Sequence, residues 1–141
     1  MLSAVLDAGV LVSAAITPRG VSGKLIECAI EDAYRMMLCP TLIGELEDVL
    51  LRPKFRPYLS EARARQFVAA IVELGQMHPD PTVRVGTTRD PDDDYLLALS
   101  QEIGVDYLIS GDTHLVELTD VNPPILTPRK FLALIEGSDS L

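Results

Sequence analysis

Four aspartates stand within five residues at the start of a predicted helix. They are Asp90, Asp92, Asp93 and Asp94, and an apolar helical pattern follows them. Asp90 suits the N-cap and Pro91 the first helical position, which leaves the other three aspartates in the first turn. The helix dipole favours each carboxylate there by about 0.3–1 kcal/mol, but neighbouring negative charges repel one another. A bound cation would relieve this repulsion, and an ordinary solvated helix cap is the alternative interpretation.

Three further acidic residues are predicted at the same edge of a sheet. Asp7 and Asp112 each follow an apolar run that is typical of a buried strand. Glu45 lies on a helix that follows another such run, and the Asp94 helix also follows a predicted strand. In open α/β sheets, ligands bind in the crevice beyond the carboxyl ends of the strands. The four residues are therefore expected to converge on one site.

The choice of Glu45 depends on helical periodicity. At roughly 100° per residue, Glu45 flanks the apolar stripe of its helix, whereas Asp48 points well away from it. The same test does not separate Glu47 from Glu45. Glu45 is preferred because it lies nearer the start of the helix, which is the end expected at the cleft.

The elements that must position these residues alternate between strands and helices. This alternation predicts an α/β fold with helices on both faces of a parallel sheet of about four or five strands. One domain is expected over residues 1–137, followed by a tail at 138–141. The predicted strands are residues 3–6, 35–39, 82–85, 106–110 and 125–126. The predicted helices are residues 10–16, 21–34, 41–51, 60–77, 91–103 and 128–136, with Gly137 as the end of the last.

Oxygen ligands favour a hard cation, so the predicted cofactor is Mg²⁺ or Mn²⁺. Zinc is disfavoured because neither His78 nor His114 has a histidine or cysteine partner at ligand spacing. Phosphodiester hydrolysis is the chemistry that such a site favours, because a metal ion polarises a phosphoryl oxygen and activates water. The net charge of −9 is unlike that of a generic nucleic-acid binder, and bound cations would reconcile it with an anionic substrate. The chain has no apolar run of about 20 residues, and a cytoplasmic protein is expected.

Three segments resemble the acidic motifs of PIN-domain proteins. They are residues 4–14, residues 89–94 and residues 107–112, and together with residues 52–55 they resemble most the toxin components of toxin–antitoxin pairs. The resemblance extends from about residue 4 to residue 132. It implies a compact α/β/α fold, dependence on Mg²⁺ or Mn²⁺, and endoribonuclease activity on an RNA substrate. It also implies a cognate antitoxin protein that occludes the acidic cleft, and a homodimer.

The resemblance assigns catalytic roles to Asp7, Glu45, Asp94 and Asp112. The metal ligands that it implies are Asp7, Asp94 and Asp112, and Asp93 competes with Asp94 for the third position. Asp94 is preferred because its spacing to the later motif resembles that of the family.

Four more residues concern the same predicted site. Ser13 and Ser110 are candidates for hydrogen bonds to the carboxylates or to the substrate, and bonding to the local backbone is the alternative. Gly9 stands where family members often carry asparagine or another polar side chain. His114 stands where a further acidic residue is common, and we interpret it as a neighbour of the site rather than a ligand.

Two other functions are compatible with strand-end aspartates. One is a phosphorylation-receiver module, although its only late lysine, Lys130, lies beyond the last predicted strand. The other is a degenerate PIN-like domain that binds RNA or a protein partner without cleaving it. The departure at Gly9 is the reason for considering it.

Overall fold

The computed structural model describes residues 1–82, 91–118 and 120–139, without the side chains of residues 91–94, 113–114 and 138–139. Its described strands form one parallel sheet with the order β3-β2-β1-β4-β5. These strands are β1 (Ser3–Leu6), β2 (Arg35–Leu38), β3 (Gln76–Met77), β4 (Tyr107–Ile109) and β5 (Ile125–Leu126). The predicted parallel α/β architecture is therefore confirmed, with five strands.

Helices precede or follow every strand. They are α1 (Ala8–Ile16), α2 (Val21–Ile30), α3 (Pro40–Leu50), α4 (Glu61–Leu74), α5 (Pro91–Ile103), α6 (Thr113–Val116) and α7 (Pro128–Asp139), with a 3₁₀ turn at Pro53–Phe55. Helix α1 packs against α2 and α3, α3 against α4, and α2 against α7, while α5 contacts β1 and β4. Because crossovers between parallel strands are right-handed, α1 to α4 cover one face of the sheet and α5 covers the other.

The order in which the chain adds strands across the sheet changes direction between β1 and β4, although the strands stay parallel. From β1 the chain proceeds through β2 to β3 at one edge, and from β4 it proceeds to β5 at the other. The carboxyl ends of β1 and β4 therefore flank the switch point of the sheet, where open α/β folds bind their ligands. The residues that follow these two strands are those at 7 and at 110–112.

The core lies on the central strands, which are covered on both faces. Ala4, Val5 and Leu6 of β1 are completely buried, which explains why this strand is a continuous apolar run without alternation. Tyr34 and Phe131 extend the core beneath α7. Their rings meet edge to face, and the ring centroids lie 5.0 Å apart. Full burial of each large apolar side chain contributes about 1.5–3 kcal/mol, so this core holds the strand ends in place.

Strand β3 lies where the sequence predicts the end of a helix over residues 60–77. Helix α4 ends at Leu74, and Gln76–Met77 pair with β2. Gly75 allows this approach, because a Cβ at that position would lie 2.6 Å from Leu38 Cδ1. Of the strand predicted at residues 82–85, Thr82 is not in a strand, and the other three residues lie outside the described part of the chain.

The ends of two other helices also differ from prediction, and one short helix is additional. Helix α2 ends at Ile30 rather than at residue 34, because Asp32 adopts a left-handed φ of 62° that a helix cannot continue. Helix α7 continues through Gly137 to Asp139, so the helix does not end where a tail was expected. The short helix α6 was not predicted, and four residues are too few to show a helical period.

Candidate active site

Asp7 is the first residue beyond β1 and the N-cap of α1. Its Oδ1 accepts a hydrogen bond from Val10 N at 2.8 Å, which satisfies one of the free N–H groups at the start of the helix. Its own N–H donates to Ile109 O at 2.9 Å, so the residue stays bonded to β4. The residue is therefore held by α1 through its side chain and by β4 through its backbone, and it is only 9% exposed.

Ser110 joins the ends of β1 and β4. Its hydroxyl donates to Asp7 Oδ2 and accepts from Asp112 N at 2.9 Å, which uses its one proton and one of its lone pairs. The residue is completely buried, so these bonds replace contact with solvent. The geometry therefore favours the carboxylate-binding role predicted for Ser110 over contact with a substrate.

The pKa of Asp7 is raised in the folded protein. Burial is the main cause, and the negative charge of Asp112 adds to it, while the hydrogen bonds from Ser110, Val10 N and Gly111 N oppose it. The described groups that act on this pKa include no lysine or arginine. A positive ion beside the two carboxylates would favour their ionised forms.

Glu45 lies half-buried on α3 and accepts a hydrogen bond from Tyr95 of α5. The distance from Tyr95 Oη to Glu45 Oε1 is 3.3 Å, and Tyr95 is 6% exposed. The pKa of Tyr95 is raised, first by burial and then by the charges of Glu45, Cys39 and Asp7. Tyr95 therefore lies within electrostatic reach of both Glu45 and Asp7, and the convergence of the predicted acidic residues on one site stays a prediction.

The neighbours of Glu45 are engaged elsewhere. Glu47 lies 3.7 Å from Arg65 on α4, and Asp48 lies 3.3 Å from Arg52 with a side chain that is 76% exposed. The helical-wheel expectation for Asp48 is therefore confirmed. Of Glu45 and Glu47, Glu45 is the residue that contacts α5, and its place in the cleft stays a prediction.

Asp93 and Asp94 belong to the first turn of α5, directly before Tyr95. Their side chains, like that of His114 at the start of α6, lie outside the described part of the structure. The choice between Asp93 and Asp94 therefore stays a prediction. Among the side chains that are described, no three histidine, cysteine, aspartate or glutamate residues form a group that could hold a metal ion.

A cleft of about 430 Å³ opens beside the two strand ends. Ser13 lines it from α1 and is exposed, so its hydroxyl is accessible from the cleft. Gly9 also lines it, and a Cβ at that position would lie 3.5 Å from Asp7 Oδ1, an ordinary contact distance. The lining residues are Asp7, Gly9, Val10, Ser13, Ser22, Gly111, Asp112 and Pro128.

Ser22 and Tyr95 were not predicted at the site. Ser22 lines the cleft from α2, and no local pattern distinguishes it from other serines that begin a helix. Tyr95 belongs to no motif and is buried in the core. Its position next to the aspartate cluster was the one available signal of another role.

The fold and the site together define an open parallel α/β protein with paired carboxylates at its switch point. The chain belongs to the PIN domain family, whose profile matches residues 3–114. It is 27% identical over 145 residues to MJ1680 of Methanocaldococcus jannaschii, an uncharacterized protein, across 96% of this chain and 92% of that one. The crystal structure of PAE2754 from Pyrobaculum aerophilum shares the fold, with a TM-score of 0.69 at 15% identity over 96% of this chain and 90% of that one.

The strand order bears on the receiver alternative. Receiver-type sheets have the order 2-1-3-4-5, whereas this sheet has the order 3-2-1-4-5. Lys130 lies in α7, beyond β5, and not at a strand end. The receiver interpretation is therefore wrong. Within the described residues, no helix is both long and apolar enough to cross a membrane.

Proposed function

We propose that the protein is a metal-dependent endoribonuclease that hydrolyses phosphodiester bonds of RNA. Its active site consists of Asp7, Glu45, Asp94 and Asp112, with Asp93 as the alternative to Asp94. The observation that carries this proposal is the Asp7–Ser110–Asp112 arrangement at the switch point of the sheet. Membership of the PIN domain family supports a nuclease of this class.

The carboxylate oxygens of Asp7 and Asp112 are donors of the kind that a hard cation prefers. A carboxylate has about four lone-pair positions, and that of Asp7 accepts hydrogen bonds from Val10 N and the Ser110 hydroxyl, so at least one position remains for a metal ion. Mg²⁺ is typically held by one or two protein carboxylates together with water and substrate oxygens. Asp7 and Asp112 would hold the ion, with Asp94 or Asp93 completing the site. When bound, Mg²⁺ or Mn²⁺ polarises a phosphoryl oxygen and acidifies a bound water.

The remaining residues orient these groups. Ser110 fixes one oxygen of Asp7 and the backbone of Asp112, which keeps the two strand ends in one geometry. Glu45, in contact with α5 through Tyr95, is the candidate proton acceptor for the attacking water. Ser13 at the cleft wall is the candidate for hydrogen bonds to the substrate.

A cleavage assay on structured and unstructured RNA with Mg²⁺ or Mn²⁺ tests this assignment. We expect Asp7→Asn and Asp112→Asn to lose cleavage while keeping a cooperative thermal transition. Asp48→Asn is the matched control, because this exposed aspartate lies outside the cleft. Equal cleavage by the wild type and both site variants would rule out the assignment.

We further propose that the nuclease is the toxin of a toxin–antitoxin pair and acts in the cytoplasm as a homodimer. The partner would be an antitoxin protein that covers the acidic cleft. Induced expression in a bacterial host is expected to arrest growth, and Asp112→Asn is expected to relieve the arrest. Arrest that persists in Asp112→Asn would contradict a toxin that acts by cleavage, and sedimentation velocity measures the oligomeric state.

A degenerate PIN-like domain is the second candidate, and Gly9 is the observation that favours it. No side chain extends from this position towards Asp7, although the space there would accept one. Calorimetric titration with Mn²⁺ separates the two candidates. The nuclease is expected to bind Mn²⁺ in a manner that depends on Asp7 and Asp112, whereas a degenerate site would not.

A further inference from the structure

Tyr95 is a buried polar residue to which the proposed reaction gives no direct part. Its ring is packed in the core, yet its hydroxyl reaches the carboxylate of Glu45, 50 residues away in the chain. The bond connects α3 with the first turns of α5. These two helices carry Glu45 and the Asp93–Asp94 pair, the predicted site residues that do not directly follow a strand. A phenylalanine would fill the same space without this bond.

Glu45 needs such a restraint because of where it lies. It is half-buried on α3, and a glutamate side chain has three rotatable bonds whose ordering is entropically costly. A donor that is itself immobilised by burial can restrict those rotations. The hydroxyl of Tyr95 meets that requirement, since Tyr95 is nearly inaccessible and so cannot reach a bound RNA itself.

We propose that Tyr95 is a positioning residue whose hydroxyl holds the Glu45 carboxylate beside the first turn of α5. The proposal rests on the nuclease function proposed above. Its consequence is that loss of the hydroxyl lowers the rate of the chemical step and leaves RNA binding unchanged. A purely structural role would instead lower thermal stability without a specific effect on turnover.

The test uses Tyr95→Phe in the full-length protein with Mn²⁺. We expect kcat to fall about ten-fold or more, the size typical of one lost hydrogen bond to a charged group, with KM within two-fold of the wild type. Tyr34→Phe is the matched control, because it removes another buried tyrosine hydroxyl. That hydroxyl donates to Leu25 O over a distance of 2.9 Å and lies away from the cleft. This control is expected to keep the wild-type kcat even where its melting temperature falls.

A double-mutant cycle identifies the partner of Tyr95. In a Glu45→Gln background, Tyr95→Phe is expected to change the residual kcat less than two-fold, because the carboxylate that it positions is already absent. An undiminished ten-fold effect in that background would overturn the proposal. So would a kcat within two-fold of the wild type for Tyr95→Phe alone.

A crystal structure of Tyr95→Phe supplies a readout that does not depend on activity. We expect the Glu45 side chain to occupy more than one rotamer, whereas in the wild type it is held by Tyr95. One unchanged rotamer in the variant would overturn the proposal. If the wild type cleaves no RNA but Glu45 becomes disordered in the variant, the nuclease assignment fails while the contact is supported.

Discussion

Replacement of Asp7 by asparagine is expected to stabilise the metal-free protein while abolishing its activity. The pKa of Asp7 is raised in the folded state, so the folded protein binds a proton more tightly there than the unfolded chain. Stability therefore decreases as the pH rises from about 4, the ordinary value for aspartate, through the folded pKa. Above the ordinary pKa of aspartate the folded wild type is destabilised by ionisation of this group, whereas a neutral asparagine has no such pH-dependent contribution.

The size of the effect follows from the contacts that asparagine can keep. Asparagine caps helices as well as aspartate does, so its Oδ1 can still accept from Val10 N. Two favourable interactions are lost. One is that of the charge with the helix dipole, about 0.3–1 kcal/mol, and the other is the hydrogen bond from the Ser110 hydroxyl to Oδ2, which an amide nitrogen cannot accept. We expect a net gain of about 0.5–2 kcal/mol, the common range for a single stabilising substitution. For 141 residues this corresponds to a melting temperature higher by about 2–7 °C.

Thermal melts in EDTA and in Mn²⁺ provide the assay. In EDTA at pH 7.5 the variant should melt above the wild type, and near pH 4 the difference should shrink because Asp7 becomes protonated. At Mn²⁺ concentrations 100 times Kd the wild type should gain about 2.7 kcal/mol, which reverses the order. Asp48→Asn should follow the wild type throughout. A variant that melts below the wild type in EDTA at pH 7.5 would refute the reasoning.

Two further predictions concern stability away from the site. Gly44→Ala should stabilise α3 by about 0.5–1 kcal/mol, because a Cβ at that position meets open space. Gly23→Ala should destabilise the fold by more than that, since its Cβ would lie 1.9 Å from Pro18 O. Urea denaturation measures the free energy of unfolding of both variants, and equal effects would contradict the prediction. Asp80 accepts a hydrogen bond from Thr41 N that lowers its pKa, so its contribution is present above about pH 4 and is lost as the pH falls through the folded pKa. Asp80→Ala should therefore be less stable than the wild type at pH 7 and closer to it at pH 3, and a pH-independent difference would contradict this.

The strand-end aspartates could be predicted because their signals are local. Asp7 and Asp112 each follow a short apolar run, and parallel strands bring such positions to one edge of the sheet. The preference for Glu45 was a weaker prediction, because periodicity alone did not separate it from Glu47. The contact with Tyr95 and the Glu47–Arg65 pair distinguish the surroundings of the two residues, and both are tertiary contacts.

The remaining features depend on contacts that no local pattern encodes. Strand β3 has two residues and exists because Gly75 lets the chain approach Leu38 of β2. The role of Tyr95 depends on one hydroxyl that meets a glutamate 50 residues away. The bond from Ser110 to Asp7 likewise depends on β1 and β4 being neighbours, which the strand order determines.

Diffraction from crystals soaked in Mn²⁺ tests the central claim most directly. We predict an anomalous difference peak between the carboxylates of Asp7 and Asp112 and the first turn of α5, with oxygen ligands at about 2.0–2.6 Å. The same soak of Asp7→Asn should leave this position without a peak. A saturating soak of the wild type that shows no ion there, or an ion bound only elsewhere, would contradict a carboxylate metal site at the switch point.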